Sequence, residues 1–300
     1  VDTYLSAYHI LRDVREGLGE FSADLMHGVD TSGAYSNTWL TRRINEAQFE
    51  LYAALLKVIP DEFFATSSIT AVSSELELPW DFGRIIQLRD ANGSVVVPRL
   101  PRELPADASG GSKLRYYRKG RSLYLTRSAV NDSYTLYYRR MPREIHAGKA
   151  GTGSTTDSIV LDDDFAPTIA DYYNDMVLEN LTQDWTAEVT DYSAARAATV
   201  SATAAKDDIY GLVSELPEAF HYLIGPRALI EARIQSSNPK KPVGPNEIPS
   251  WQKKVLETLS SFNLAEDKLV PESLWSDVGA GSAGISATIP GHTDPVTDIF

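Results

Sequence analysis

The chain contains no cysteine, which excludes disulfides, thiolate nucleophiles and cysteine-ligated zinc. It also lacks any apolar run near the roughly twenty residues that a membrane-spanning helix needs. The opening stretch VDTYLSAYHILRDVREGLGE is interrupted by Asp2, Arg12, Asp13, Arg15 and Glu16, so neither a span nor a secretory leader is expected there, and a cytoplasmic site of synthesis is the natural reading. Positive charge is scarce: 28 Lys and Arg against 41 Asp and Glu leave a net charge of −13. Such a balance argues against binding nucleic acid by bulk attraction to phosphate.

Catalytic signatures are missing too. His9, His27, His146, His221 and His292 never fall at the spacing of helical zinc ligands. Gly279, Gly281 and Gly284 satisfy GxGxxG in form, but no strand pattern precedes them and no helix pattern follows, as a pyrophosphate site requires. Neither a GxxxxGK[ST] phosphate loop nor a GxSxG nucleophile elbow occurs. Asp162, Asp163 and Asp164 could attract a cation. They are read instead as acids at a helix start, where they satisfy free N–H groups. No enzyme, metal or cofactor is expected.

What is present is an ordinary globular composition, 43% hydrophobic and 23% charged over 300 residues, enough for one large or two smaller domains. Leu5, Tyr8, Leu11, Val14 and Leu18 recur at helical spacing, and a stop is expected around Gly17 and Gly19. Asn37 is placed to cap a helix running through TWLTRRINEAQFELYAALLKVI to Pro60. From Ser68 to Arg143 the period becomes two, in SITAVSSELEL, GRIIQL, SVVV, KLRYYRK, SLYLT and YTLYYRR, with a hairpin signal at Asp90-Ala91-Asn92-Gly93. Tyr134, Leu136 and Tyr138 then share one face, and Thr135, Tyr137 and Arg139 the other.

Helical spacing is read again in Pro167 to Ala187 (Ile169, Tyr172, Tyr173, Met176, Leu181, Trp185), in the Ala-rich stretch Tyr192 to Leu216, and in part of Pro217 to Gln235. A proline-rich linker, SSNPKKPVGPNEIP, leads to a helix in WQKKVLETLSSF and then to an arm with scattered apolar residues. The expected fold is therefore α+β, a helical bundle body with an inserted antiparallel β module and an extended C-terminal arm. Its parts are N-terminal helices in residues 1–66, the β module in 67–145, C-terminal helices in 160–236, and linker, short helix and docking arm in 237–300.

Charge is unevenly spread. Lys113, Arg115, Arg118, Lys119, Arg121, Arg127, Arg139, Arg140 and Arg143 face a single acid, Asp132, so this stretch carries +8 and the remainder −21. Arginine interleaved with tyrosine fits single-stranded nucleic acid, through phosphate attraction and base stacking. Arginine and tyrosine are also favoured at protein interfaces, and pairing with acidic surface on a neighbouring subunit is the expected use.

The order of elements, with the phrases LTRRINEAQFELYAALLKVIP, LELPWDFGRIIQLRDANG, YTLYYRRMP and IVLDDDFAPTIADYYNDMVLENL, resembles the head-to-tail adaptor, or connector, proteins of tailed bacteriophages over residues 37–215. The resemblance implies a virion protein of the neck: one subunit of a homo-oligomeric ring of about twelve copies, lying between the portal protein and a tail or nozzle protein. Duplex DNA would pass through its lumen without sequence reading, and no membrane is involved. On that reading Arg115, Arg118, Lys119, Arg121, Arg139 and Arg140 form a subunit or tail interface, and Trp275, Ile289, Ile299 and Phe300 belong to a portal-docking arm. The alternative is a nucleic-acid-binding module on a helical scaffold.

Overall fold

The computed structural model describes residues 5–20, 35–59, 61–99, 114–126, 132–236 and 242–262. The described residues fall into two units, one formed by 59–141 and the other by the stretches before and after it.

In the unit 59–141 the two-residue period yields seven strands: β1 (Phe64–Thr70), β2 (Glu75–Glu77), β3 (Phe82–Asp90), β4 (Val95–Pro98), β5 (Arg115–Lys119), β6 (Ser122–Leu125) and β7 (Ser133–Arg140). They form one sheet in the order β1-β7-β3-β4-β5-β6-β2. Every pairing is antiparallel except β4 with β5, so the sheet is mixed rather than purely antiparallel. The strands at the two ends of this order are consecutive in the chain. Val72 and Glu75 exchange both backbone hydrogen bonds, at 2.8 and 2.9 Å, across a two-residue turn. The sheet thus curls back on itself and encloses Leu76, Leu88, Tyr116, Leu123, Leu136 and Tyr138. Fully burying one such leucine contributes roughly 1.5–3 kcal/mol.

The local signals in this unit act as the sequence suggests. Asp90 Oδ1 accepts hydrogen bonds from Asn92 N (2.9 Å) and Ser94 N (2.8 Å), and Gly93 takes φ 78°, closing the β3–β4 hairpin. In β7 Tyr134, Leu136 and Tyr138 point inward while Thr135, Tyr137 and Arg139 point outward. Burial raises the Tyr116 hydroxyl pKa to about 12.

Among its described residues the other unit holds four α-helices, α1 (Ala7–Leu18), α2 (Asn37–Val58), α3 (His221–Ser236) and α4 (Glu247–Phe262), with α1, α2 and α4 all packed on α3. The helical spacing of α1 buries Tyr8, Leu11, Val14 and Leu18. Gly19, at φ 94°, ends it in a left-handed cap whose N–H reaches Arg15 O. Asn37 is not the cap of α2. Ser36 Oγ accepts from Trp39 N at 3.3 Å, while Asn37 accepts from the buried Arg15 guanidinium, which also pairs with Glu20 at 2.5 Å.

The expectation of a helical bundle body is overturned here. Between α2 and α3 this unit carries β8 (Ala147–Lys149), β9 (Ser158–Val160), β10 (Val177–Asn180), β11 (Trp185–Glu188), β12 (Asp191–Tyr192), β13 (Ala197–Thr199) and β14 (Ile209–Leu212). They form a four-stranded sheet, β11-β10-β14-β8, and a three-stranded sheet, β12-β13-β9. With the seven-stranded sheet they make the described chain predominantly β. The stretches Pro167–Ala187 and Tyr192–Leu216 are strands and tight turns, not helices.

Turn chemistry is the reason. Asp171, Asp175, Asp184 and Asp207 adopt φ of 63°, 65°, 55° and 69°, a left-handed conformation that aspartate tolerates and a helix interior excludes. Asn180 Oδ1 accepts from Thr182 N and Gln183 N, both at 3.0 Å, and turns β10 into β11. Likewise the three aspartates do not start a helix: Asp162 Oδ1 accepts from Asp164 N at 3.0 Å within a turn. Their carboxylates lie within 4.8 Å of one another, and Asp163 and Asp164 are exposed.

Two packing details stand out in this unit. A Cβ on Gly211 of β14 would lie 2.7 Å from Ser6 Oγ and 2.8 Å from Tyr8 N, so only glycine lets the start of α1 cross there. Beneath, His146 is fully enclosed, with Nε2 3.0 Å from Tyr210 Oη and Nδ1 3.2 Å from Tyr173 Oη. Its ring stacks on Phe165 at 5.5 Å. Burial lowers its pKa from 6.5 to about 3, so it is neutral in the folded protein.

Candidate partner interface

The basic run that is continuous in sequence is divided by the fold. Strands β3 and β4 lie between β7 and β5 in the sheet, so Arg139 is separated from Arg115, Lys119 and Arg121, while Arg118 and Arg140 both adjoin Phe82. Arg143 leaves the run altogether. It belongs to the other unit, pairs with the equally buried Glu215 at 2.6 Å, and donates to the backbone oxygens of Tyr172 and Asn174.

On the β5–β6–β2 side, Tyr117, Tyr124 and Glu75 form one row across the three strands, and Lys119, Ser122 and Glu77 the next. Tyr117 and Tyr124 stack at 5.5 Å with planes 20° apart. Hydrogen bonds from Ser122 and Tyr124 lower the Glu75 pKa, and the same bond raises that of Tyr124. Arg115 and Lys119 are exposed beside this pair. Arg118 instead folds over Phe82, its guanidinium carbon 5.1 Å from the ring centre, and donates to Gly120 O at 3.1 Å. Arg121 is exposed at the β5–β6 turn. A phosphate strand laid on the tyrosine pair would meet the carboxylates of Glu75 and Glu77, which favours a protein partner over nucleic acid on this side.

The β1–β7–β3 side presents a different face. Cross-strand register aligns Phe64 with Arg139 and Arg84, Thr66 with Tyr137 and Gln87, and Ser68 with Thr135 and Arg89. These nine outward positions contain three arginines, two aromatic rings and no acid. Arg89 sits 5.5 Å above the Tyr137 ring and donates to Gln87 at 2.7 Å, while Phe64 packs against Tyr137 at 6.0 Å. Arg140 points to the opposite side of β7, aligned with Phe82.

Arg84, Arg89 and Phe64 were not singled out in the sequence. Arg84 and Arg89 stand an odd number of residues apart, so a regular strand would send them to opposite faces. Register shifts between Phe82 and Arg84 and between Ile85 and Gln87 bring both outward. The candidate arm residues Trp275, Ile289, Ile299 and Phe300 lie outside the described residues.

The curled sheet offers partners exposed cations and aromatic rings, an arrangement suited to a structural protein that works by contact. Comparison with known families specifies it further. The model of the SU10 adaptor protein family matches residues 7–191, and the chain belongs to that family. It is accordingly a phage adaptor protein, a component of the virion that contacts other head or tail proteins, as the resemblance over residues 37–215 implied. No curated protein matches the chain. Among the described residues no helix is long and apolar enough to cross a membrane.

Proposed function

We infer that the protein is the repeating subunit of a neck ring that joins the portal to the tail or nozzle protein and encloses part of the DNA ejection channel. The family match over residues 7–191 carries this reading. Uneven charge supports it: a closed ring needs two different, complementary patches on each subunit, and the exposed basic residues of β5 and the β5–β6 turn stand against a net charge of −13 for the chain. The exposed Arg115, Lys119 and Arg121 are the contacts proposed for the next subunit or the tail, and the acidic excess would let duplex DNA slide through without sticking.

The test is to measure the protein's mass in solution over a range of concentrations, alone and with the portal protein of the same phage, and to image both samples by negative stain. Rings with a central hole, alone or seated on the portal, are expected. Monomers that never assemble even on the portal would sink the proposal. The variant Arg115→Glu/Lys119→Glu/Arg121→Glu should weaken assembly much more than DNA binding.

A further inference from the structure

The outward face of β1, β7 and β3 is unusual in where its cations stand. In the other unit most described arginines are neutralised in place: Arg12 by Glu16, Arg15 by Glu20, Arg43 by Glu46, Arg143 by Glu215, Arg227 by Glu50 and Arg233 by Glu247. Among the described residues Arg84, Arg89 and Arg139 have no carboxylate within salt-bridge distance. Arg84 and Arg139 are directly opposite each other across β3 and β7, an arrangement that destabilises a sheet by like-charge repulsion. The Nε of Arg139 is buried with no hydrogen-bond partner. Beside these cations the same face leaves apolar groups in water, with Phe64 48% and Val95 52% exposed; Val95 is aligned with Arg89 on the neighbouring strand. Cations without a carboxylate partner next to exposed apolar groups call for a segment that supplies carboxylates and apolar side chains together.

The sequence contains such a segment. From Trp275 to Phe300 there are three acids, Asp277, Asp294 and Asp298, no lysine or arginine, and the apolar side chains of Trp275, Ile285, Ile289, Val296, Ile299 and Phe300. Asp294 and Asp298 flank Val296 in DPVTDIF, so an extended chain presents all three on one side. We propose that the face formed by Phe64, Arg84, Arg89, Tyr137 and Arg139 is a docking surface for the Trp275–Phe300 segment of this protein, with Asp294 and Asp298 answering the arginines and Ile299 and Phe300 covering Phe64 and Val95. The proposal does not depend on ring formation and stands or falls separately from it.

Absence of cysteine makes the test clean. Thr66, exposed at the centre of the face, is replaced by cysteine in the full-length protein and labelled with a thiol-reactive photo-crosslinker, and the joined peptides are identified by mass spectrometry. Cross-links into residues 275–300 are expected. Their yield should fall at least about tenfold in Arg84→Glu/Arg89→Glu/Arg139→Glu, the effect of losing one charge-assisted contact on an equilibrium. The same fall is expected in Asp294→Lys/Asp298→Lys, which leaves the sheet untouched. Cross-links that map elsewhere, no cross-links, or a yield unchanged by the aspartate variant would overturn the proposal. Mixing isotope-labelled with unlabelled protein shows which copy donates the segment, and either donor meets the proposal.

Discussion

Acidification tests the packing of the β-rich body through one residue, His146. Its imidazole is enclosed by Tyr173, Tyr210 and Phe165, and burial lowers its pKa from 6.5 to about 3. The unfolded chain therefore takes up a proton as the pH drops below 6.5, while the folded protein refuses it until about pH 3. Stability from this group is complete above pH 6.5 and is lost progressively as the pH falls toward 3. At pH 5 the proton bound only by the unfolded chain costs the fold about 2 kcal/mol. His146→Gln keeps a side chain that can pair with both tyrosine hydroxyls and never titrates. Urea unfolding followed by tryptophan fluorescence at pH 7.5 and pH 5 should show the natural protein losing about 2 kcal/mol more than the variant, roughly 1 M in midpoint. Other titrating groups act in both proteins and cancel in the comparison. Equal losses would refute the neutral, buried histidine.

Breaking the buried pair with Glu215→Gln should destabilise by about 3–5 kcal/mol, because it leaves the Arg143 charge enclosed without its counterion; a change below about 1 kcal/mol in urea unfolding would contradict the burial. Leu136→Ala, in the middle of the curled sheet, should cost about 2–5 kcal/mol by the same measurement. Ser73 and Ser74 hold φ of 52° and 72° in the turn joining β1 to β2, the pattern that favours Asn-Gly. Ser74→Gly should accordingly raise stability by about 1 kcal/mol, and a lower melting temperature would refute the turn.

How legible these features were depended on the range of the forces behind them. The strands from β1 to β7 could be read because one face of each is buried, so burial and sequence alternate together, and Asp90 and Gly93 announce their own turn. Helices α1, α2 and α4 were legible for the same reason at a longer period. The stretch from Pro167 to Leu216 was misread because Ile169, Tyr172, Tyr173, Met176 and Leu181 fall at spacings that suit a helix, although the chain there folds into short strands between turns. The aspartates decided it by adopting left-handed conformations that depend on backbone partners distant in sequence, such as Asp175 N donating to Val189 O at 2.8 Å.

The basic stretch was visible as charge, yet its division into two faces was not. Strand order places β3 and β4 between its halves, and strand order is set by long-range pairing. Arg84 and Arg89 were hidden by bulges that no local pattern records. Arg143, counted in the basic stretch, is a buried partner of Glu215.

The claim that this protein joins head to tail is tested most directly by in vitro complementation. A phage carrying a stop codon in this reading frame should yield DNA-filled heads and free tails, and adding the purified protein to that lysate should restore infectious particles. Normal virions from the mutant, or heads that fail to package DNA, would contradict the account.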